Sequence, residues 1–277
     1  MSTSEFVYNG RGTRVVFGCG SRSHIERELH TLQVRRALVL CSHEQRALGV
    51  SVADQLGVLA ADVFDRAAMH VPVELVAEVR TIAASLEADC LIAVGGGSAI
   101  GLAKGLALET GLPILAVPTT YAGSEMTPIF GLTESGLKRT GTDLRVLPKT
   151  VVYDPDLTLT LPVSMSVTSG INAIAHAAEG LYSRDANPLT SLMAEEGIAR
   201  SRAAYPKSSP SRTTHPHAPM RFMAPGFAVP CSEASEWRCI TSYAIRSAAA
   251  SICRMRPPIP SCSRTPWRTT QTQCRMQ

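Results

Sequence analysis

The sequence predicts an α/β domain with a parallel, doubly wound sheet, followed by an all-helical domain. Three observations predict it. Short apolar runs alternate with helix-spaced segments from residue 15 to residue 155. One run, Asp89-Cys-Leu-Ile-Ala-Val94, is apolar almost throughout, as strands covered on both faces are. After Pro162 the spacing is helical only.

In chain order, Val15-Val-Phe-Gly is a short apolar run stopped by glycine, and 23–32 is helical, with Ile25, Leu29 and Leu32 on one face. Arg36-Ala-Leu-Val-Leu-Cys41 is a buried strand. Residues 50–56 repeat the helical spacing, and Val63-Phe64 is short and apolar. In 71–86, Val73, Val76, Val79, Ile82 and Ala83 share a face, with Glu74 and Glu78 on another. After the strand at 89–94 stands Gly95-Gly-Gly-Ser98, then a helix over 99–109 closed by Gly111 as its C′ residue. Pro113-Ile-Leu-Ala-Val-Pro118 is the next strand, and Leu147-Pro-Lys-Thr-Val-Val-Tyr-Asp-Pro155 the last. Leu159-Thr-Leu-Pro162 links to helices over 163–181 and 189–198.

Glycines after a strand let backbone N–H groups approach a pyrophosphate at the positive end of the following helix, where Ser98 is placed to cap. A glycine triplet alone also serves as a tight connection. The next strand, however, ends in Thr119-Thr-Tyr-Ala-Gly-Ser-Glu125, a second polar loop at the carboxyl edge where open α/β sheets bind ligands. Two such loops on successive strands favour a nucleotide cleft over two capping turns. Further on, Asn172 and His176 are four apart and share a helix face, with Glu179 near. The bland reading, a satisfied core histidine, is the commoner one, and an amide oxygen is a poor metal ligand beside a carboxylate.

Composition divides the 277 residues in two. Residues 1–198 carry 15 Lys+Arg against 21 Asp+Glu, whereas 199–277 carry 12 against 2, with no Leu, one Gly and 10 of the 18 Pro. Such a tail cannot pattern a core. The expected parts are 1–161 as the α/β domain, 162–198 as the start of the helical domain, here cut short, and 199–277 as a tail without native order. The first residues lack the basic and apolar regions of a secretory signal, and no apolar run approaches the roughly 18 residues of a membrane span, so a cytoplasmic protein without membrane contact is expected. Cys19, Cys41 and Cys90 are expected as reduced, buried thiols without chemistry.

Four ordered segments, GGGSAIGLAK (95–104), PTTYAGSE (118–125), DPDLTLTLP (154–162) and GINAIAHAAE (170–179), resemble the motifs of the iron-containing alcohol dehydrogenase superfamily over residues 6–198. Gly101 stands where the family has Asp, and Asn172 where it has a metal-binding Asp. Both departures, with TYAGSEMTPIFGLTESGLKRTG (120–141), resemble the maleylacetate reductase branch. That resemblance implies reduction of the carbon–carbon double bond of maleylacetate to 3-oxoadipate by NADH or NADPH in (chloro)aromatic catabolism. It implies a small dicarboxylate substrate, a homodimer and, with Asn172, no metal. Gly95, Gly96, Gly97 and Ser98 would hold the pyrophosphate. Thr119, Thr120 and Ser124 would line the nicotinamide side, Lys138 would reach the ribose, and His176 would serve as the catalytic substrate or proton-relay residue. Ser42 follows the strand at 36–41, where an acid would pair the ribose 2′-OH and repel a 2′-phosphate, so the sequence does not choose between NADH and NADPH.

Past residue 198 the family pattern is lost, and only His215 and His217 remain of the expected histidines. Reading one base out of register, with synonymous codons chosen freely, turns 236–255 into MALHHKLCHTLGGSFDLPH, which looks like the missing segment. The agreement runs on from about residue 200. A lost reading frame near residues 198–200 is therefore expected, and with it an impaired enzyme. Two other readings stay open: a nucleotide-binding remnant that turns nothing over, and a metal-dependent alcohol or polyol dehydrogenase. The basic tail with Trp237, Tyr243 and Trp267 invites a nucleic-acid reading, but an out-of-frame GC-rich gene yields Arg, Ala, Pro and Ser without selection, so no nucleic-acid partner is expected.

Overall fold

In a computed structural model, residues 6, 12–183 and 186–204 are described. The frame loss expected near residues 198–200 falls at the end of these, and the tail histidines and tail aromatics lie outside them.

The α/β part runs β1 (Arg14–Phe17), α1 (Ile25–Thr31), β2 (Ala37–Leu40), α2 (Arg46–Leu56), β3 (Ala60–Phe64), α3 (Val73–Ser85), β4 (Cys90–Gly95), α4 (Gly97–Thr110), β5 (Ile114–Pro118), β6 (Ile129–Glu134), β7 (Leu137–Thr142) and β8 (Thr150–Tyr153). Six strands form one sheet in the order β1-β8-β5-β4-β2-β3, every pairing parallel. The period of two sorts the strand residues between two cores. Leu38, Leu40, Leu91, Ala93 and Ile114 pack with Val76 and Val79 of α3 and Ile100, Leu102 and Leu106 of α4. Ala37, Val39, Cys90, Ile92, Val94 and Leu115 pack with Ile25 and Leu29 of α1 and Val52 and Leu56 of α2. Helices thus cover both faces, which is why the central strands are apolar without a break.

The order of strands places the crevice. From β2 the chain goes outward to β3 and then returns past β2 to β4, so the winding reverses between β2 and β4. Outside the carboxyl ends of those two strands lie Ser42 and Gly96.

The two-stranded antiparallel hairpin of β6 and β7 has no counterpart in the periodicity, because Leu137, Lys138, Arg139 and Thr140 are all exposed. Its one local signal is Ser135-Gly136, both at positive φ (49° and 76°), the geometry of a tight two-residue hairpin turn. Leu132 and a hydrogen bond from Thr133 N–H to Val71 O dock the hairpin on the α3–α4 face.

Two helices follow, α5 (Val163–Tyr182) and α6 (Pro188–Ala204), packed together through Ala173, Ala177, Ala194 and Ile198. The helix expected to stop at 198 continues to Ala204, since the Arg, Ser and Ala that follow are compatible with a helix. Cys41 and Cys90 are buried free thiols, and burial pushes them up to about 11 and about 12. Cys19 departs from expectation: it is half-buried and disulfide-bonded, at the turn between Gly18 and Gly20 where the chain leaves the sheet.

Candidate functional site

β4 and β5 run in register, with Gly95 opposite Pro118, so the glycine turn and the Thr119 loop leave the sheet side by side. Thr119 N–H donates to Gly95 O at 3.1 Å. A Cβ on Gly96 would lie 2.8 Å from Thr120 Cγ2, so only glycine lets the two loops touch there. Gly96 is also the N-cap of α4, and no side chain caps the helix. Ser98 therefore sits inside the first turn rather than capping it, because the helix starts two residues earlier than the spacing suggests. The first-turn N–H groups face outward at the positive end of the helix, the arrangement that receives a phosphate. Beside them Thr119 is 4% exposed and its hydroxyl has no hydrogen-bond partner among the described residues. A buried hydroxyl left this way is unfavourable, and a ligand atom reaching the loop would satisfy it.

On the other side of the switch point, Ser42 is extended and opens a short 3₁₀ turn, His43–Gln45. Gln45 Cγ comes within 3.9 Å of the place a Gly95 Cβ would take, so this turn borders the glycine turn. Arg46 pairs with Asp65 and holds its carboxylate below the usual range. Ser42 itself leaves the position of the ribose-pairing acid without a carboxylate.

Ser124 opens the 3₁₀ turn Ser124–Met126 at the far end of the Thr119 loop. Glu125 is fully buried and accepts a hydrogen bond from the Tyr153 hydroxyl at 2.8 Å. Lys104, which the spacing only placed inside a helix, is fully buried with its ammonium on the backbone of this loop. Its signal was a charge on an otherwise apolar helix, Ala99-Ile-Gly-Leu-Ala-Lys-Gly-Leu-Ala-Leu. Gly101 is explained by packing: a Cβ there would lie 2.8 Å from Val71 Cγ2, so an Asp does not fit beside this valine.

The remaining expected residues are not drawn into this cluster by any hydrogen bond among the described residues. Lys138 is exposed on β7, and its Cε lies over Gly131 of its own hairpin. His176 is half-buried on α5, with Nδ1 3.4 Å from Glu179 Oε2, and Asn172 is exposed one turn earlier.

A glycine turn and an uncapped helix at the switch point of a parallel sheet, facing a hydroxyl-rich loop from the next strand, define a dinucleotide-binding α/β domain. The chain belongs to the iron-containing alcohol dehydrogenase family, whose sequence profile matches residues 12–155. It is 58% identical over 201 residues to the maleylacetate reductase of Burkholderia cepacia, covering 73% of this chain and 57% of that one. To the maleylacetate reductase of Sphingobium indicum it is 56% identical over 194 residues, covering 70% and 55%. The chain thus spans just over half the length of these relatives. The crystal structure of maleylacetate reductase from Agrobacterium tumefaciens superposes with a TM-score of 0.76 at 39% identity, covering 90% of this chain and 65% of that one. Sulfoacetaldehyde reductase from Bifidobacterium kashiwanohense, solved in complex with NAD+, shares the fold at 20% identity and a TM-score of 0.70, covering 89% and 67%.

The family is named for iron, so the expectation of no metal gains no support from membership. Asn172 offers an amide where a carboxylate would be needed, and among the described residues no group of three His, Cys, Asp or Glu side chains converges. No helix among the described residues is long and apolar enough to cross a membrane.

Proposed function

We propose that this chain carries the cofactor half of a cytoplasmic maleylacetate reductase, using NADH or NADPH to reduce the conjugated double bond of maleylacetate to 3-oxoadipate. The observation that carries the reading is the 58% identity over 201 residues to the Burkholderia cepacia reductase, with the glycine turn and the Thr119 loop side by side at the switch point.

When bound, the nicotinamide supplies a hydride. In an enone the hydride adds to the carbon β to the ketone, the π electrons move onto the carbonyl as an enolate, and a proton then joins the α-carbon. The protein's part is to orient and to supply that proton. The backbone N–H groups of Gly95, Gly96, Gly97 and Ser98 bind the pyrophosphate. Thr119, Thr120 and Ser124 fix the nicotinamide side, with the Thr119 hydroxyl finding its missing partner there. Lys138 reaches the ribose from the hairpin, and His176, oriented by Glu179, relays the proton or meets a substrate carboxylate. The substrate is a small dicarboxylate, and the working unit is a homodimer.

On this reading 1–161 is the dinucleotide-binding domain and 162–198 the beginning of the helical domain that closes the cleft. The charge reversal past residue 198 and the recoded histidine-rich string support a frame loss there, so the chain as written is impaired. The test is maleylacetate-dependent oxidation of NADH, comparing this chain with one whose frame is restored after Ile198. Turnover by the restored protein alone is expected. Equal turnover by both would overturn the frame loss, and none by either would overturn the assigned reaction.

A further inference from the structure

Lys104 has no part in the function proposed above, yet it is among the largest fully buried side chains, at 1% exposure. It lies two turns into α4, the helix whose first turn faces the pyrophosphate position. An ammonium withdrawn from water must place its protons on acceptors. Nζ donates to Ser124 O at 2.6 Å, to Ile129 O at 2.7 Å and to Thr127 O at 2.8 Å, with Thr127 Oγ1 at 3.1 Å. The Thr127 hydroxyl in turn donates to Ser124 O at 3.1 Å. These acceptors lie on the connection between β5 and β6 and on Ile129, the first residue of β6. At its other end the same connection is set against the glycine turn, through the Thr119–Gly95 hydrogen bond and the Thr120 side chain on Gly96.

We infer that Lys104 is a positioning residue: its ammonium locks loop 119–127 to α4, so that the groups for the two halves of the dinucleotide form one rigid cradle. The inference rests on the dinucleotide reading of the site. A lysine present only to fill space would contact side chains and be replaceable by an apolar residue. This one grips main-chain carbonyls on a loop that otherwise has only short elements of regular structure. Loosening it frees Thr119, Thr120 and Ser124 while leaving Gly97 and Ser98 in place. The effect therefore falls on the nicotinamide end of the cofactor and spares the ADP-ribose end.

The test uses the full chain as wild type, Lys104→Met and the milder Thr127→Val, without ligand and then with NADH or ADP-ribose. In hydrogen–deuterium exchange, peptides over 119–129 are expected to exchange about tenfold faster in Lys104→Met and by less in Thr127→Val, with the β2 and β4 peptides unchanged. NADH affinity is expected to fall about tenfold in Lys104→Met while ADP-ribose affinity holds. Unchanged loop exchange would overturn the inference. So would uniform loosening or loss of soluble Lys104→Met with Thr127→Val behaving as wild type, which marks a space-filling role, or equal loss of both ligands. If wild type binds neither ligand, the dinucleotide reading falls, and the exchange pattern still decides whether Lys104 holds the loop.

Discussion

The hydroxyl of Tyr153, at the end of β8, donates 2.8 Å to Glu125 Oε1 on the loop that follows β5, and both residues are buried. The next residue, Asp154, accepts from Gly20 N–H at 3.0 Å and from Arg22 N–H at 3.3 Å, so the end of β8 ties the Thr119 loop to the turn after β1. Tyr153→Phe removes a donor from a buried carboxyl and is expected to lower stability by about 1–3 kcal/mol in urea unfolding. Glu125→Gln keeps an oxygen that accepts from Tyr153 and lowers it less. Equal losses would show that the hydrogen bond is not what Tyr153 contributes.

Gly101 and Val71 form a second testable pair. Val71 has φ 42°, strained for a β-branched residue, and its Cγ2 fills the space a side chain at 101 would need. Gly101→Asp, which restores the family residue, is expected to destabilise by about 1–3 kcal/mol through overpacking. Val71→Gly relieves both the clash and the strain, so the double variant is expected to recover most of that loss. Additive losses in the cycle would contradict a direct conflict.

Acid stability is set in part by Glu28. Its buried carboxylate accepts from Arg14 Nε at 2.6 Å, and this hydrogen bond holds it below the usual carboxylate range. A depressed value in the folded state adds stability that is fully present above the unfolded value of 4.5 and lost as pH falls through the folded one. Asp65 with Arg46 and Asp143 with Arg145 act in the same direction, each exposed arginine limiting its share. The urea midpoint is therefore expected to decline below about pH 4. Glu28→Gln lowers it at neutral pH and flattens the decline. An acid limb as steep in the variant would place the effect elsewhere.

The two buried thiols give a check on the core. Cys41 and Cys90, pushed up to about 11 and about 12, carry almost no thiolate at pH 8 and lie on the same face of the sheet. Neither is expected to react with iodoacetamide in the folded chain, and both should react once denatured. Native labelling at either position, read by peptide mass, would show that the sheet face is open.

The sheet was legible because its strands are buried on both faces: Ala37-Leu-Val-Leu40 and Cys90-Leu-Ile-Ala-Val-Gly95 need no partner to announce themselves. The glycine turn was legible for the same local reason, since Gly95 and Gly96 answer to a turn and to a close approach. Residues defined by distant partners were hidden. Nothing within a few positions of Lys104 shows that its acceptors lie at 124, 127 and 129. Nor does anything near Gly101 show that Val71 fills its missing side chain. The hairpin is hidden because exposed residues carry no periodic signal, and Ser98 reads as a cap because spacing leaves the first residue of a helix open by one or two positions.

On the proposed function, the Gly96 turn and the Thr119 loop hold a nicotinamide dinucleotide. The most direct measurement is hydrogen exchange of the full chain with and without NADH, alongside a calorimetric titration. Saturable binding is expected, with new protection confined to peptides over 95–100 and 117–126, and loss of both in Gly96→Ala. The contradicting result is saturable binding whose protection falls elsewhere, or no binding by a folded chain.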